Sequence, residues 1–127
     1  MQPSTDYRFS KEHTWVRPSA GGDALVGITP FAQEQLGEIV YTDLPAIGAT
    51  FKKDEVFGSI EALKTTSDLF MPVSGTILAI NTRLKDEPNL VNDDAQGEGW
   101  LIRIRPTQPE ELDTLLHQSA YDQFTTH

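Results

Sequence analysis

Hydrophobic and polar residues alternate along much of this chain, in short runs separated by turn-forming residues. Residues 13–18, 24–28 and 76–81 are rich in β-branched, aromatic and other apolar side chains, with proline, glycine or asparagine at or near the boundaries. Many short strands spaced by about 8–12 residues are typical of an all-β sandwich or barrel. The first two runs flank the glycine-rich residues 19–23, a pattern that predicts a β-hairpin.

A short helix is predicted at residues 29–37. Thr29 suits the N-cap, Pro30 suits the first helical position, and Gly37 suits the position just after the last turn. The helix therefore interrupts the succession of strands early in the chain.

The middle of the chain predicts further strands around a single lysine. Residues 38–45 predict one strand that ends at Pro45, and residues 47–63 predict a short strand, a charged turn at 52–55 and a longer strand from Val56. A second apolar run follows Lys64. This arrangement places Lys64 at the tip of a tight hairpin.

A last strand is predicted at residues 100–106, after a long polar excursion at residues 82–99. Its alternation puts Trp100, Ile102 and Ile104 on one face, with Leu101, Arg103 and Arg105 on the other. Trp15 and Trp100 are interpreted as core or rim aromatics.

Helical spacing replaces the strand pattern from residue 107 onward, with a break near Ser119. The apolar positions are Leu112, Leu115, Leu116, Tyr121 and Phe124. With 127 residues and no linker or low-complexity tract, residues 1–127 are expected to form one domain.

Composition excludes several classes of protein. The hydrophobic content of 38% supports a modest core, and no apolar run is long enough to cross a bilayer. A net charge of −9 argues against nucleic acid and anionic membranes as partners. The chain has no cysteine, which excludes disulfides and thiolate chemistry. The first residues lack the apolar segment of a secretory signal and favour a bacterial cytoplasmic location, or an organelle matrix for a processed form.

Motifs of catalysis and metal binding are not found. The three histidines, His13, His117 and His127, have no metal-ligand spacing, and neither a nucleophile elbow nor a phosphate-binding loop is present. The acidic residues 92–98 miss the spacing of a calcium-binding loop and are interpreted as solvated. A metal site is therefore not expected, and the residues single out no catalytic group.

Lys64 has two interpretations on spacing alone. It is either an ordinary solvated lysine in a turn or an accessible amine whose acylation would remove its charge and attach a group carrier.

The residues around Lys64 resemble a known attachment hairpin, and this resemblance favours the second interpretation. "GSIEALKTTSDLFMPVSGTILAIN", residues 58–81, resembles the attachment hairpin of lipoyl and biotinyl carrier domains. "KEHTWV", "VGITPFAQEQLGEIVYTDLPAIG", "LVNDDAQGEGWLIRI" and "PEELDTLLHQSAYDQF" extend it. Together these motifs, from about Tyr7 to Phe124, are similar to the H-protein family of the glycine cleavage system. Biotin is the weaker alternative, because methionines usually flank a biotinylated lysine and here the flanks are Leu63 and Thr65.

The resemblance implies a mainly β fold, a barrel-sandwich hybrid of two antiparallel sheets with a short internal helix and a C-terminal helical segment. It implies lipoate in amide linkage on Lys64 and a protein that is a carrier and not an enzyme. The carrier would receive the aminomethyl group at glycine decarboxylase (P protein) and transfer the one-carbon unit at aminomethyltransferase (T protein). It would then pass reducing equivalents to dihydrolipoyl dehydrogenase (L protein). A lipoate-attaching enzyme would be a fourth partner.

Four neighbours of Lys64 are candidate supporting residues. Glu61 and Asp68 are expected to orient the lipoate-attaching enzyme or to be solvated hairpin charges. Gly75 is expected to occupy a backbone position of positive φ. His13 is expected either beside the loaded arm or in a structural role.

Three features depart from the pattern that the resemblance implies. The attachment run commonly reads E-S-V-K, and here Ala62 and Leu63 precede the lysine. Thr14 replaces an acidic residue between histidine and tryptophan, and Ala95-Gln96 replaces a Pro-Tyr pair. They leave two other hypotheses open: an H-like lipoate donor or regulatory protein without glycine cleavage, and an acidic β-sandwich adaptor whose lysine is never modified.

Overall fold

The computed structural model describes residues 7–18 and 21–125. The predicted turn at residues 19–23 lies partly outside these ranges, and His127 and the first six residues lie wholly outside them. The strands are β1 (Arg8–Phe9), β2 (Thr14–Pro18), β3 (Ala24–Ile28), β4 (Ile39–Asp43), β5 (Thr50–Phe51), β6 (Val56–Ala62), β7 (Thr66–Phe70), β8 (Gly75–Ile80) and β9 (Ile102–Pro106). The α-helices are α1 (Pro30–Leu36), α2 (Leu90–Asp93) and α3 (Gln118–Thr125), and 3₁₀ turns span Thr82–Lys85 and Pro109–Thr114.

The strands form two antiparallel sheets. The larger sheet has six strands in the order β1-β2-β3-β9-β8-β5, and the smaller has three in the order β4-β6-β7. The predicted fold class, a mainly β barrel-sandwich hybrid with a short internal helix and a C-terminal helical segment, is confirmed. The β2–β3 hairpin is confirmed as well.

The main core lies between the two sheets. Ile60 and Leu69 reach it from the small sheet, while Val26, Ile102 and Ile104 reach it from the large sheet, and all five are buried. Because side chains alternate along a strand, the residues between these positions point away from the core. Each sheet therefore has an outer face.

A second, aromatic cluster covers part of the outer face of the large sheet. Phe9, Trp15 and Tyr121 are its buried members. Trp15 packs directly over Gly27, where an added Cβ would lie 2.6 Å from the indole ring. The indole nitrogen of Trp15 donates to the carbonyl of Ala95 at 2.9 Å. The interpretation of Trp15 as a core or rim aromatic is confirmed, and the side chain is fully buried.

The predicted caps of α1 are confirmed in detail. The Thr29 side chain accepts the backbone N–H of Ala32, and Pro30 begins the helix. Gly37 ends it with a φ of 83°, in the region that favours glycine.

The predicted first residue of the last strand was wrong. β9 begins at Ile102, and Leu101, predicted to share the outer face with the arginines, is fully buried. Trp100 is half-buried and packs against the aromatic cluster, so it does not share the core face with Ile102. The two residues precede the strand, and strand alternation does not apply to them.

Two other boundaries differ from the sequence-based expectations. The polar residues 82–99 contain a 3₁₀ turn and α2, which bury Leu84 and Val91 in the core. The C-terminal break lies between Thr114 and Gln118, earlier than Ser119. Leu116 lies in this break and pairs with Phe9 through two backbone hydrogen bonds of 2.8 Å, which explains why the helical pattern is interrupted there.

Candidate functional site

Lys64 lies at the tip of the β6–β7 hairpin, as predicted. The backbone N–H of Ala62 donates to the carbonyl of Thr65 at 2.8 Å and closes the turn. Lys64 and its neighbours Leu63 and Thr65 are exposed. The amine is therefore presented on a short, closed turn that leaves it open to an approaching enzyme.

The hairpin is anchored on its inner side. Ile60, Ala62 and Leu69 are buried in the main core, and the N–H of Leu63 donates to the carbonyl of Glu38 at 3.1 Å. This bond ties the base of the turn to the chain entering β4. The exposed tip of the hairpin is therefore held in place by the buried side chains of its two strands.

Glu61 and Asp68 lie on the outer face of the small sheet. Glu61 pairs with Thr66, and Asp68 pairs with Ser59, whose other neighbour is Asp43. The three carboxylates are exposed, and within the described residues none forms an ion pair. The outer face beside Lys64 is therefore acidic.

The chain entering β4 is fixed by a residue that sequence reasoning missed. The side chain of Asn92 accepts the N–H of Ile39 and donates to the carbonyl of Gly37, both at 2.8 Å. Residues 92–98 were interpreted as solvated, but Asn92 holds the segment on which the Lys64 turn rests. The fifty-odd residues that separate the partners along the chain left no local signal for this contact.

The expectation for Gly75 was wrong. Gly75 is not one of the described glycines that have a positive φ. It is the first residue of β8 and pairs with Phe51 on one side and with Pro106 on the other. An added Cβ would lie 3.1 Å from the backbone oxygen of Arg105 and 3.2 Å from Ile104 Cδ1. Close approach of β8 to β9 explains the glycine.

His13 occupies a structural position beside the helices. Its φ is 68°, an uncommon value for a residue other than glycine. Its Nδ1 lies 2.7 Å from the hydroxyl oxygen of Tyr121, which lies 2.7 Å from the hydroxyl of Thr29. Its ring also packs against Phe31, with centroids 4.8 Å apart. The network joins the β1–β2 turn, the cap of α1 and helix α3.

The structure does not bring His13 to the Lys64 turn through a direct interaction. Within the described residues no hydrogen bond, ion pair or ring contact joins them. His13 instead lines an open groove with Phe31, Gln35, Phe124 and Thr125. This supports the structural interpretation of His13.

The pH dependence of stability follows from the burial of His13. Burial lowers the pKa of His13 below its ordinary value of 6.5, and the nearby Glu12 partly opposes the shift. The unfolded chain therefore binds more protons between the two pKa values, so the free energy of unfolding decreases as pH falls through 6.5 toward the pKa of the folded state. We expect His13→Gln to remove this part of the pH dependence, measured by denaturant unfolding on both sides of pH 6.5.

His117 provides the matched control. It is exposed, and His117→Gln makes the same substitution outside the side-chain network of His13, Tyr121 and Thr29. An equal effect of the two substitutions would contradict this assignment.

The departures around residues 14 and 95 have local explanations. Thr14 is buried, and its hydroxyl lies 2.6 Å from the hydroxyl of Ser10. Ala95 and Gln96 contribute their backbone carbonyls, which accept from the Trp15 indole and the Tyr7 hydroxyl. These two hydrogen bonds use backbone carbonyls and do not depend on which side chains residues 95 and 96 carry.

Comparison with known proteins gives a consistent result. The family profile described as "Glycine cleavage H-protein" matches residues 7–127. The glycine cleavage system H protein of Symbiobacterium thermophilum is 48% identical over 120 residues, which cover 94% of this chain and 93% of the relative. That of Bacteroides fragilis is 49% identical over 114 residues, which cover 90% of each.

A solved structure agrees with the sequence relatives. The crystal structure of a glycine cleavage system H protein from Mycobacterium marinum superposes with a TM-score of 0.85 at 35% identity. The match covers 96% of this chain and 98% of that one. In the described part of this chain, no helix has the length and apolar character needed to span a membrane.

Proposed function

Because the chain belongs to the glycine cleavage H-protein family, we propose that it is the lipoyl carrier of a glycine cleavage system and that lipoate is attached in amide linkage to Lys64. The observation that carries this proposal is an exposed lysine at the tip of a closed hairpin, supported by a buried inner face. Lipoate held by Lys64 would supply a disulfide at the end of a long arm, the group that accepts an aminomethyl unit. The protein itself acts as a carrier and not as an enzyme.

The residues around Lys64 fit this cofactor. Leu63 and Thr65 are exposed, so the amine is uncrowded, and within the described residues it forms no ion pair that acylation would break. Amide formation would remove the charge of the lysine and leave the hairpin bonds intact, because these use backbone atoms. Lys64 would thus provide a fixed attachment point at the end of the β6–β7 hairpin.

The proposed partners of this protein are the three enzymes that act on the carrier arm and the enzyme that attaches lipoate. Glycine decarboxylase loads the arm, aminomethyltransferase unloads it, and dihydrolipoyl dehydrogenase reoxidises it. A lipoate-attaching enzyme acts once on each carrier. We place this cycle in the bacterial cytoplasm, or in an organelle matrix for a processed form, in keeping with the bacterial sources of the relatives.

Glu61 and Asp68 are proposed to guide the lipoate-attaching enzyme to Lys64. Both carboxylates are exposed, flank the turn on its two strands and have no ion pair within the described residues, so they are free to meet basic side chains of that enzyme. We expect Glu61→Gln to slow lipoylation about tenfold, the size of effect that removal of an interfacial charge has on association. The rate of lipoyl transfer to the purified apo-protein measures it.

Glu110→Gln is the control for this prediction. Glu110 is exposed on the 3₁₀ turn that follows β9, outside the small sheet, and its substitution removes the same charge. Equal rates for Glu61→Gln and the native protein would show that Glu61 is only a solvated hairpin charge.

One observation favours a second candidate function. Thr14 is buried and its hydroxyl is occupied by Ser10, so residue 14 offers no carboxylate to a loaded arm. An H-like protein that donates lipoate or serves as a regulatory lipoyl protein needs no such contact. This alternative shares Lys64 lipoylation with the first proposal and lacks aminomethyl transfer.

Exchange of labelled bicarbonate into the carboxyl group of glycine separates the two functions. We expect the lipoylated protein to support this exchange with purified glycine decarboxylase, with unlipoylated protein as the blank. Lipoylated protein that supports no exchange would exclude the glycine cleavage role and favour the lipoate donor.

A further inference from the structure

One peptide unit beside the Lys64 turn is held at both of its ends. It joins Glu38 to Ile39, at the start of β4. Its carbonyl, on Glu38, accepts the N–H of Leu63 at 3.1 Å, and Leu63 directly precedes Lys64. Its N–H, on Ile39, donates to Oδ1 of Asn92 at 2.8 Å. The turn and Asn92 therefore hold opposite ends of one planar group.

The strand register leaves the N–H of Ile39 to a side chain. β4 lies at an edge of the small sheet, and Ile39 pairs with Ala62 on β6. The N–H of Ala62 donates to Thr65 across the hairpin, and the register of β4 shifts between Ile39 and Tyr41. Ile39 is buried, so its backbone N–H is costly to leave unpaired. Asn92 provides the acceptor at this irregular end of the strand.

A second hydrogen bond extends the hold of Asn92 to the other side of Glu38. Nδ2 of Asn92 donates to the carbonyl of Gly37 at 2.8 Å. One side chain therefore fixes the peptide units before and after Glu38. Asn92 lies in α2, next to Val91, which is buried in the main core. Through these bonds the core of the protein sets the position of the carbonyl that receives Leu63.

We propose that Asn92 is a positioning residue for the acylation of Lys64. The inference rests on the proposed function and adds to it a residue outside the hairpin. Rotation of the planar unit between Glu38 and Ile39 would break its bond to Leu63 together with its bond to Asn92. Without Asn92 the Leu63 end of the turn loses its fixed partner. Lys64 then occupies its reactive position for a smaller fraction of the time.

Position matters because the lysine has to reach an acyl carbon that another protein holds. The neutral Nζ amine of Lys64 attacks the carbonyl carbon of an activated lipoyl donor, a mixed anhydride with a nucleotide phosphate. The C–N bond forms, the acyl C–O bond breaks with its electron pair on the phosphate oxygen, and the amine loses one proton. Such a step requires the two reacting atoms to be close and aligned. Asn92 contacts neither of them and acts through the turn.

The test uses two kinds of substitution at Asn92 and one matched control. Asn92→Ala and Asn92→Ser remove both bonds, since the serine side chain is too short to span them, whereas Asn92→Asp keeps an acceptor for Ile39 and loses the donor to Gly37. Asn89→Ala is the control, because Asn89 is exposed at the start of α2 and donates only within that helix, to Asp93 at 3.1 Å.

Two properties of each purified apo-protein are measured. Amide hydrogen exchange at Leu63 reports the bond to Glu38. The kinetics of lipoyl transfer to Lys64, with a lipoate-attaching enzyme, lipoate and ATP, report the reactive position of the turn. Circular dichroism confirms that each variant is folded. A residue that only stabilised the fold would leave the KM of the folded apo-protein unchanged.

We expect Asn92→Ala and Asn92→Ser to raise the exchange rate of the Leu63 amide and to lower kcat/KM for lipoyl transfer. Each change should be about fivefold, the effect of one lost hydrogen bond. The loss should lie in the KM for the apo-protein, because a saturating enzyme draws the turn back into its reactive position. Asn92→Asp and Asn89→Ala should resemble the native protein.

Several results would overturn the proposal. Faster exchange at Leu63 without a change in KM would make Asn92 a structural residue only, and unchanged exchange would show that Asn92 does not hold the turn. Equal effects of Asn92→Ala and Asn89→Ala would contradict it, as would an Asn92→Asp protein that is as slow as Asn92→Ala. Native apo-protein that accepts no lipoyl group would contradict the proposed function itself, and this inference with it, so the two failures are distinguishable.

Discussion

Replacement of Lys64 with arginine is expected to abolish carrier activity completely while leaving the fold unchanged. Arginine keeps the positive charge and a long side chain, but its guanidinium group does not form the amide link that lipoate requires. Residue 64 is exposed in a turn that is closed by backbone hydrogen bonds, so the free energy of unfolding should change by no more than about 0.5 kcal/mol. Loss of activity would then come from the missing attachment point alone.

Lys52→Arg is the matched control. Lys52 is also exposed, lies in the turn before β6, and is expected to retain full lipoylation and exchange activity. Intact mass and glycine–bicarbonate exchange measure the two variants side by side. Residual exchange with Lys64→Arg, or a lipoyl group found on that variant, would contradict the assignment of the attachment site.

Trp15→Ala is expected to have the largest effect on stability, about 3–5 kcal/mol. The indole is fully buried, fills the space above Gly27 and donates to the carbonyl of Ala95. Truncation would leave a cavity beneath the aromatic cluster and an unsatisfied buried carbonyl. Because this cluster joins helix α3 to the sheet, the substitution should also loosen the C-terminal helix.

Trp100→Ala provides the comparison for this prediction. Trp100 packs against the same cluster but is only half-buried, so its truncation should cost clearly less than that of Trp15. Denaturant unfolding followed by far-UV circular dichroism measures both. The account of the aromatic cluster would be wrong if the two losses were equal or if Trp100→Ala were the more damaging.

The sequence was sufficient where local chemistry determines local structure. Thr29, Pro30 and Gly37 mark the two ends of α1, and the structure uses each in the predicted way. The turn at Lys64 follows from two apolar runs separated by small polar residues, and its closure needs only backbone atoms of Ala62 and Thr65. The exposed turn at Lys64 was therefore predictable, since its geometry depends on a short stretch of chain.

The sequence was insufficient where distant segments meet. His13 and Tyr121 are joined across 108 positions, and no periodicity along the chain predicts such a contact. Gly75 was expected to have a positive φ because glycine commonly serves at such positions, whereas the approach of β9 decides its role. Arg17 and Arg103 likewise meet only through the pairing of β2, β3 and β9.

The most direct test of the central claim is the intact mass of the protein from its native cells, with peptide mapping around Lys64. The account predicts a lipoyl group on Lys64 and on no other lysine. An unmodified Lys64 in cells that lipoylate other proteins would contradict the carrier function and leave an acidic β-sandwich adaptor as the better description.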